Sequence, residues 1–289
     1  MTQITNLPDL SSEYALTPEH VTGFQRDAVT LVRGLASHDE IDAYRGPINA
    51  AVERFNQETR PLEERDTYGM AFLQTMNLWT RDAAVKRFSF ARRFAKVAAE
   101  LLGVSGVRMY HDQALFKEPG GGITPWHQDQ HYWPLDTDRT ITMWMPLVDI
   151  PEEIGTLTFA PGSHVRGYLG DLPISEHSQN TFGAFVRENG WEPRTYGAMN
   201  AGDATFHSGW VLHCAPGNPS STFRREVMTV IYMAEDTRVG AADHKNREND
   251  LATWLPGCRP GDLAASPLNP VLYSSQSLRA SHFEPVTRV

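Results

Sequence analysis

The chain has 289 residues, 40% of them hydrophobic, 10% aromatic and 21% charged, a balance that excludes disordered and collagen-like architectures. Twenty-six Lys and Arg against 35 Asp and Glu leave a net charge of -9, which is unsuited to gripping a phosphate backbone, so nucleic acid is not an expected partner. Two cysteines, Cys214 and Cys258, are too few for a disulfide scaffold. The N-terminal stretch lacks the basic and apolar regions of a signal peptide, and no run approaches the ~18 apolar residues of a membrane span. A cytoplasmic protein without a membrane partner is expected.

In chain order, the first third reads as helical. Ser37-His38-Asp39-Glu40 has the form of a capping box, and Ile41, Tyr44, Ile48, Val52 and Phe55 follow at helical spacing, which predicts a helix with one buried face. A second helical run starts at Thr80-Arg81-Asp82 and continues through Val85, Phe88, Phe94, Val97, Ala98, Leu101 and Leu102. It stops at Gly103, placed as a left-handed cap. From Val107 the period changes. Runs rich in Val, Ile, Thr and aromatics at 107–117, 126–132, 140–148, 156–159, 203–206, 211–213 and 226–233 read as strands, separated by turn material such as Pro119-Gly120-Gly121-Gly122 and Pro161-Gly162-Ser163.

Short strands between such turns predict an antiparallel sandwich or barrel, with the helices covering one side. Residues 170–200 break the strand rhythm and read as a long insertion of the kind that covers active sites. Past 235 the chain turns polar and Pro/Ser-rich and is expected to be irregular but partly docked. The whole of 1–289 is read as one domain: a helical part over about 17–103, a β core over about 107–235 and an irregular C-terminal tail over 236–289.

The block Trp126-His127-Gln128-Asp129-Gln130-His131 carries the first chemistry. On an extended strand, residues two apart share a face, so His127 and Asp129 present an imidazole nitrogen and a carboxylate oxygen to one point. A His-x-Asp triplet is common by chance, so a third ligand is required. The segment 203–213 offers two histidines. His207, directly after the expected strand, suits a supporting or packing role. His213 would complete two histidines and one carboxylate around iron and leave positions open for reaction.

Taken together, His127-Gln128-Asp129, His131-Tyr132-Trp133-Pro134, Trp144, Gly155-Thr156-Leu157, Pro161-Gly162-Ser163-His164, Gly202-Asp203, Phe206-His207, His213, Asn218 and Arg225 resemble the phytanoyl-CoA dioxygenase family of Fe(II)- and 2-oxoglutarate-dependent oxygenases. The resemblance spans roughly residues 107–233. It implies a mainly β fold with flanking helices: a double-stranded β-helix (jelly-roll, cupin-like) core with an N-terminal helical layer. It also implies Fe(II) held by His127, Asp129 and His213, with 2-oxoglutarate and O2 as co-substrates.

The distal carboxylate of 2-oxoglutarate needs a cation, and the fixed fork of arginine suits it. Arg224 and Arg225 are adjacent, and alternation sends them to opposite faces. The family's spacing from the distal histidine favours Arg224. Counting back from the strand at 226–232 favours Arg225, and an extra residue is accommodated more easily in the 219–223 loop than inside a strand, so Arg225 is preferred. Trp144, at a position resembling a family residue of the 2-oxoglutarate pocket, and Gln113, on the strand before the metal motif, are further candidate contacts. Where some family members carry a serine two residues after the distal histidine, this chain has Ala215. Asp129 is retained where related halogenases have a small residue, which implies oxygen chemistry, with hydroxylation of an unactivated C–H as the default outcome.

Phe72, Trp79, Tyr132, Trp133, Phe185 and Trp191 lie in segments placed to line a barrel mouth, which would suit an apolar or aromatic small molecule. Phe72, Trp79, Trp133 and His131, the last beside the metal motif, are the candidate substrate contacts. No basic cluster suited to the phosphates of an acyl-CoA is present. Two other classes remain: a cupin-like isomerase or hydrolase using the same triad without 2-oxoglutarate, and a non-catalytic binding protein on the same fold. An arginine facing the metal site separates the first from an oxygenase, and metal content tests the second. No pattern in the chain specifies an oligomeric state.

Overall fold

The structure, a computed structural model, describes residues 6–275. Helix α1 (Pro18–Asp27) leads into strand β1 (Val29–Val32). Helix α2 (His38–Phe55) starts at the expected capping box: the Ser37 hydroxyl accepts from the Glu40 amide, and the Glu40 carboxylate accepts from the Ser37 amide. Its buried stripe is Ile41, Tyr44, Ile48, Ala51 and Val52. Short α3 (Thr67–Ala71) precedes β2 (Leu73–Met76).

The second predicted helical run is two helices, α4 (Ala83–Ser89), capped by Asp82, and α5 (Arg92–Leu102), closed by Gly103 at φ 69°. The spacing of Phe88 and Phe94 would put them on different faces of one continuous helix. The break at Phe90 and Ala91 brings their rings to 5.4 Å, with Phe88 also 5.6 Å from Tyr44.

Next come β3 (Gly106–Phe116), β4 (Thr124–His127), β5 (Thr140–Pro146), β6 (Thr158–Phe159), helix α6 (Glu176–Glu188), β7 (Arg194–Thr195), β8 (Ala204–Ser208), β9 (His213–Ala215), β10 (Val227–Ala234), helix α7 (Lys245–Trp254) and β11 (Val271–Ser274). One sheet has the order β1-β8-β5-β10-β3-β11 with β2 also on β3, and the other has the order β4-β9-β6-β7. Every described pairing is antiparallel. The sheets pack through Trp144, Phe159, Val211, Ala215 and Val227, giving the jelly-roll core that the resemblance implies.

Alternation in the large sheet separates core from site. Ile141, Met143, Met145, Met228, Val230 and Tyr232 join Phe88, Phe94, Val97 and Leu101 in one apolar cluster. The intervening Gln113, Thr142, Trp144 and Thr229 face a cavity. Between β10 and β3 the register slips, pairing Ile231 with His111 and Tyr232 with Met109. Tyr110 is therefore the extra residue of a β-bulge, so consecutive side chains meet two residues of the cavity wall, Tyr110 packing on Trp133 and His111 on Trp254.

The predicted insertion at 170–200 contains one helix, α6, between irregular stretches. Phe182 and Val186 of α6 pack on Trp126 and Leu212 behind the smaller sheet. The expectation of an irregular tail is corrected within the described residues. There α7 and β11 form, α7 with no fully buried residue, which is why its polar sequence shows no apolar period. Residues 276–289 of that expectation lie outside the described residues. Among the described residues, no helix is long and apolar enough to cross a membrane.

Candidate active site

Strand β4 ends at His127 rather than reaching residue 132, and Asp129 opens a 3-10 turn, Asp129–His131, after an extended Gln128. The convergence expected from strand alternation is thus produced by a strand end and a turn. The register of β4 on β9 pairs His127 with His213, and their ring centroids lie 4.1 Å apart. Asp129 Oδ1 is 3.5 Å from His127 Nε2 and 3.6 Å from His213 Nε2. The three ligand atoms lie within 4.8 Å of one another.

Each ring's other nitrogen meets a main-chain carbonyl, His127 Nδ1 that of Pro125 at 2.7 Å and His213 Nδ1 that of Val211 at 3.1 Å. A carbonyl only accepts, so Nδ1 carries the proton in both rings and the Nε2 lone pairs face Asp129. On the other carboxylate oxygen, Asp129 Oδ2, the Thr142 hydroxyl donates at 3.0 Å and His207 Nε2 lies at 3.3 Å. His207 sits within β8, not after it, and takes the supporting position that sequence reasoning gave it. Burial first, then His127, holds the imidazole of His213 well below its ordinary pKa, so it is neutral and its lone pair is free.

Arg225 is 1% exposed and lines the same cavity. It donates from Nη1 to the Gly155 carbonyl at 2.7 Å and lies 5.4 Å from the centre of the Trp144 ring. Its Nε is buried without a hydrogen-bond partner. No carboxylate among the described residues pairs with it, and burial pushes its pKa down to about 9. The backbone of Gly155, at φ 65°, comes so close that an added Cβ would meet Arg225 Nη1 and Lys117 Cδ at 3.2 Å and the Pro216 carbonyl at 3.1 Å.

Lys117 is fully buried beside this arginine and donates to the Gly122 carbonyl. Burial, with Arg225 adding to it, pushes its ammonium down to about 6. Arg224 points away: it pairs with Glu226 at 3.0 Å and lies over Phe116. The bridge between Arg225 and Lys117 sets this register.

The cavity holds about 260 Å³. Phe72, Tyr132, Trp133, Gln113 and Trp144 line it, as placed from sequence. Four expected contacts lie elsewhere. Trp79 donates to Asn77 at 3.1 Å and packs on Phe90. His131 stacks with His244 at 4.7 Å and with Tyr168, because the 3-10 turn rotates it away from the cavity. Phe185 and Trp191 pair edge to face with each other on α6 and its exit. Sequence reasoning missed Tyr68, His111, Thr142, Asp250 and Trp254, all of which line the cavity. Asp250 lies in the polar run Lys245-Asn246-Arg247-Glu248-Asn249-Asp250, where nothing marks one acid from another.

The profile of the family described as Phytanoyl-CoA dioxygenase (PhyH) matches residues 24–226. A "Probable alpha-ketoglutarate-dependent hypophosphite dioxygenase" from Stutzerimonas stutzeri is 29% identical over 136 residues, 45% of this chain and 46% of that protein, so the match spans under half of this relative. "Phytanoyl-CoA dioxygenase domain-containing protein 1" from Danio rerio is 22% identical over 277 residues, 77% of this chain and 92% of that protein. Among solved structures, the non-heme alpha ketoglutarate dependent carbocyclase SnoK from nogalamycin biosynthesis superposes with a TM-score of 0.72 at 22% identity, covering 90% of this chain and 99% of its own. The epimerase SnoN, solved with Fe3+, alpha ketoglutarate and nogalamycin RO, superposes with a TM-score of 0.70 at 24% identity, covering 88% and 97%. With the profile matched over most of its length and this fold around its core, the chain belongs to the phytanoyl-CoA dioxygenase family of iron- and 2-oxoglutarate-dependent oxygenases.

Proposed function

We propose that this protein is an Fe(II)- and 2-oxoglutarate-dependent oxygenase that hydroxylates an unactivated C–H of a small organic molecule. The observation that carries the reading is one cavity with two complementary features. His127, Asp129 and His213 turn three ligand atoms to a point, and Arg225 offers a buried cation with no acidic partner among the described residues and an unpartnered Nε. A buried guanidinium without a counter-ion is costly, and a dicarboxylate whose far end meets it removes that cost. The two imidazoles and one carboxylate suit iron and leave coordination positions for co-substrates. The cupin-like alternative without 2-oxoglutarate gives no role to Arg225.

Within this reading the roles divide by position. His127, Asp129 and His213 hold the metal, and the carbonyls of Pro125 and Val211 fix the tautomer and tilt of the two rings. Thr142 and His207 hold Asp129 Oδ2, leaving Oδ1 for the metal. Arg225 binds the distal carboxylate of 2-oxoglutarate, with the Trp144 face steadying its guanidinium. Phe72, Tyr132 and Trp133 shield the reacting C–H from water. When bound, iron and 2-oxoglutarate supply the oxidation: O2 places one oxygen in succinate and one in the hydroxylated product, with loss of CO2.

Anaerobic titration of the Fe(II)-loaded protein with 2-oxoglutarate, followed by visible absorption, tests the reading. A charge-transfer band in the wild type that is absent in His213→Ala is expected. Bound iron with no band would overturn it in favour of the cupin-like class. Hydroxylation is tested with 18O2: one labelled atom in the product is expected, whereas epimerisation or ring closure would leave the product unlabelled.

A further inference from the structure

The cavity has a second acidic group with no part in the chemistry above. Its lining holds two carboxylates, Asp129 at the metal centre and Asp250 on α7. The Asp250 Oδ2 atom accepts from the Tyr110 hydroxyl at 2.9 Å. Among the described residues, no lysine, arginine or histidine forms an ion pair with it. The nearby Arg247 is engaged elsewhere, donating to Asp243 at 3.2 Å and to the His131 carbonyl at 3.3 Å.

Around Asp250 the wall is aromatic, with Tyr68, Trp133 and Trp254. Burial pushes the Asp250 carboxyl up to about 7, the direction expected of an acid that lacks a cation. Tyr110 and Trp254 give this carboxyl hydrogen bonds but no counter-charge. A carboxylate set among aromatic faces is what a cationic nitrogen requires, one group supplying the counter-charge and the rings supplying their negative faces.

We propose that Asp250 is the anchor of a substrate subsite for a cationic amine, so that the oxidised molecule carries a protonated nitrogen on an apolar or aromatic frame. The proposal rests on the oxygenase reading of the cavity and narrows its substrate class. It gives the cavity two opposite poles. Arg225 takes the dianionic co-substrate, Asp250 takes the cationic end of the substrate, and each pole repels the other's ligand. The substrate is thereby oriented with its nitrogen toward α7 and the rest of its frame toward the metal triad.

The test uses the full-length protein without iron or 2-oxoglutarate, so its failure is separable from failure of the oxygenase reading, which the spectroscopic titration decides. Binding of 2-phenylethylamine, its neutral isostere 2-phenylethanol and the anionic 3-phenylpropanoate is measured by calorimetry at pH 8. The amine is expected to bind about tenfold or more tightly than the alcohol, and the carboxylate most weakly, as a desolvated charge pair implies. Asp250→Asn, which keeps the acceptor for Tyr110, should abolish the preference for the amine and leave 2-phenylethanol affinity within about twofold. Tyr110→Phe, which removes the hydrogen bond but keeps the charge, should retain the preference. Equal binding of amine and alcohol, no binding by any of the three, or a preference that survives Asp250→Asn overturns the proposal.

Discussion

The two ends of the cavity are built by different means. At the metal end, the principal side chains come from strands, from the turn directly after one, or from an isolated bridge beside one. His127 and His213 face each other across the β4–β9 register. Thr142 and His207 are register partners across β5 and β8, and Arg225 is held by the bridge to Lys117. Main-chain hydrogen bonding therefore fixes the positions that chemistry depends on. On the α7 wall, Asp250, Thr253 and Trp254 come from a helix that buries none of its residues fully. That helix reaches the sheet through side chains: Tyr110 to Asp250, and the His111 ring 5.3 Å from Trp254. Sheet register thus sets the metal end, whereas the α7 wall is set by a few side-chain contacts on a bulge, where replacements should leave the metal end undisturbed.

Substitutions at the two ends should accordingly separate. The largest effect is expected at the metal: His213→Ala should lose stoichiometric iron on desalting, read by elemental analysis, while Asp250→Asn keeps it. One equivalent of iron retained by His213→Ala would break the assignment. Arg225→Met should weaken 2-oxoglutarate binding to the anaerobic Fe(II) protein by about 100-fold, since a buried carboxylate loses its charged partner. Arg224→Met should change it by less than about threefold, its guanidinium being committed to Glu226. Calorimetry of the pair would expose a wrong register if the order were reversed. His207→Ala should weaken iron binding by about 10- to 100-fold through a less constrained Asp129, and competition with a chelator would measure it.

The buried ammonium of Lys117 gives a smaller, pH-dependent effect. Its pKa is pushed down to about 6 in the fold, below that of an unfolded lysine, so between these values the unfolded chain holds the proton that the folded chain lacks. Stability then rises with pH through this window. Lys117→Met removes that dependence, so its advantage over the wild type should shrink between pH 7 and pH 9 by at most ~1.4 kcal/mol per pH unit. Urea unfolding at both values would show it, and a pH-independent difference would mean that Lys117 stays charged in the fold. The smallest expected change is in Tyr110→Phe. Loss of one hydrogen bond, ~1 kcal/mol, should speed amide exchange in α7 and leave iron and 2-oxoglutarate affinities unchanged. A change in either affinity would show that the two ends are coupled.

Much of the metal end was legible in the sequence because its signals are local. The capping box at Ser37 and Glu40 and the His127/Asp129 pair each rest on neighbours within a few residues. Even so, Asp129 converges through a turn rather than along a strand. Period two brought the right residues together for an incomplete reason. The choice of Arg225 over Arg224 came from placing slack in a loop, and the bridge to Lys117 agrees with it. Two of the four misplacements share a cause. Trp79 and His131 each sit in a one-turn 3-10 segment, Leu78–Thr80 and Asp129–His131, which turns them onto Phe90 and onto His244 and Tyr168.

From local patterns, then, come the N-terminal capping, the β core, the two-histidine, one-carboxylate grouping and the family, because alternation, capping and ligand spacing act over a few residues and survive whatever surrounds them. Only the tertiary structure decided which side chains line the cavity's second wall. A polar helix without an apolar period acquires its role from what it lands on. Here that is Tyr110, turned inward by a single extra residue in β3, a long-range event that no local pattern in residues 245–254 records.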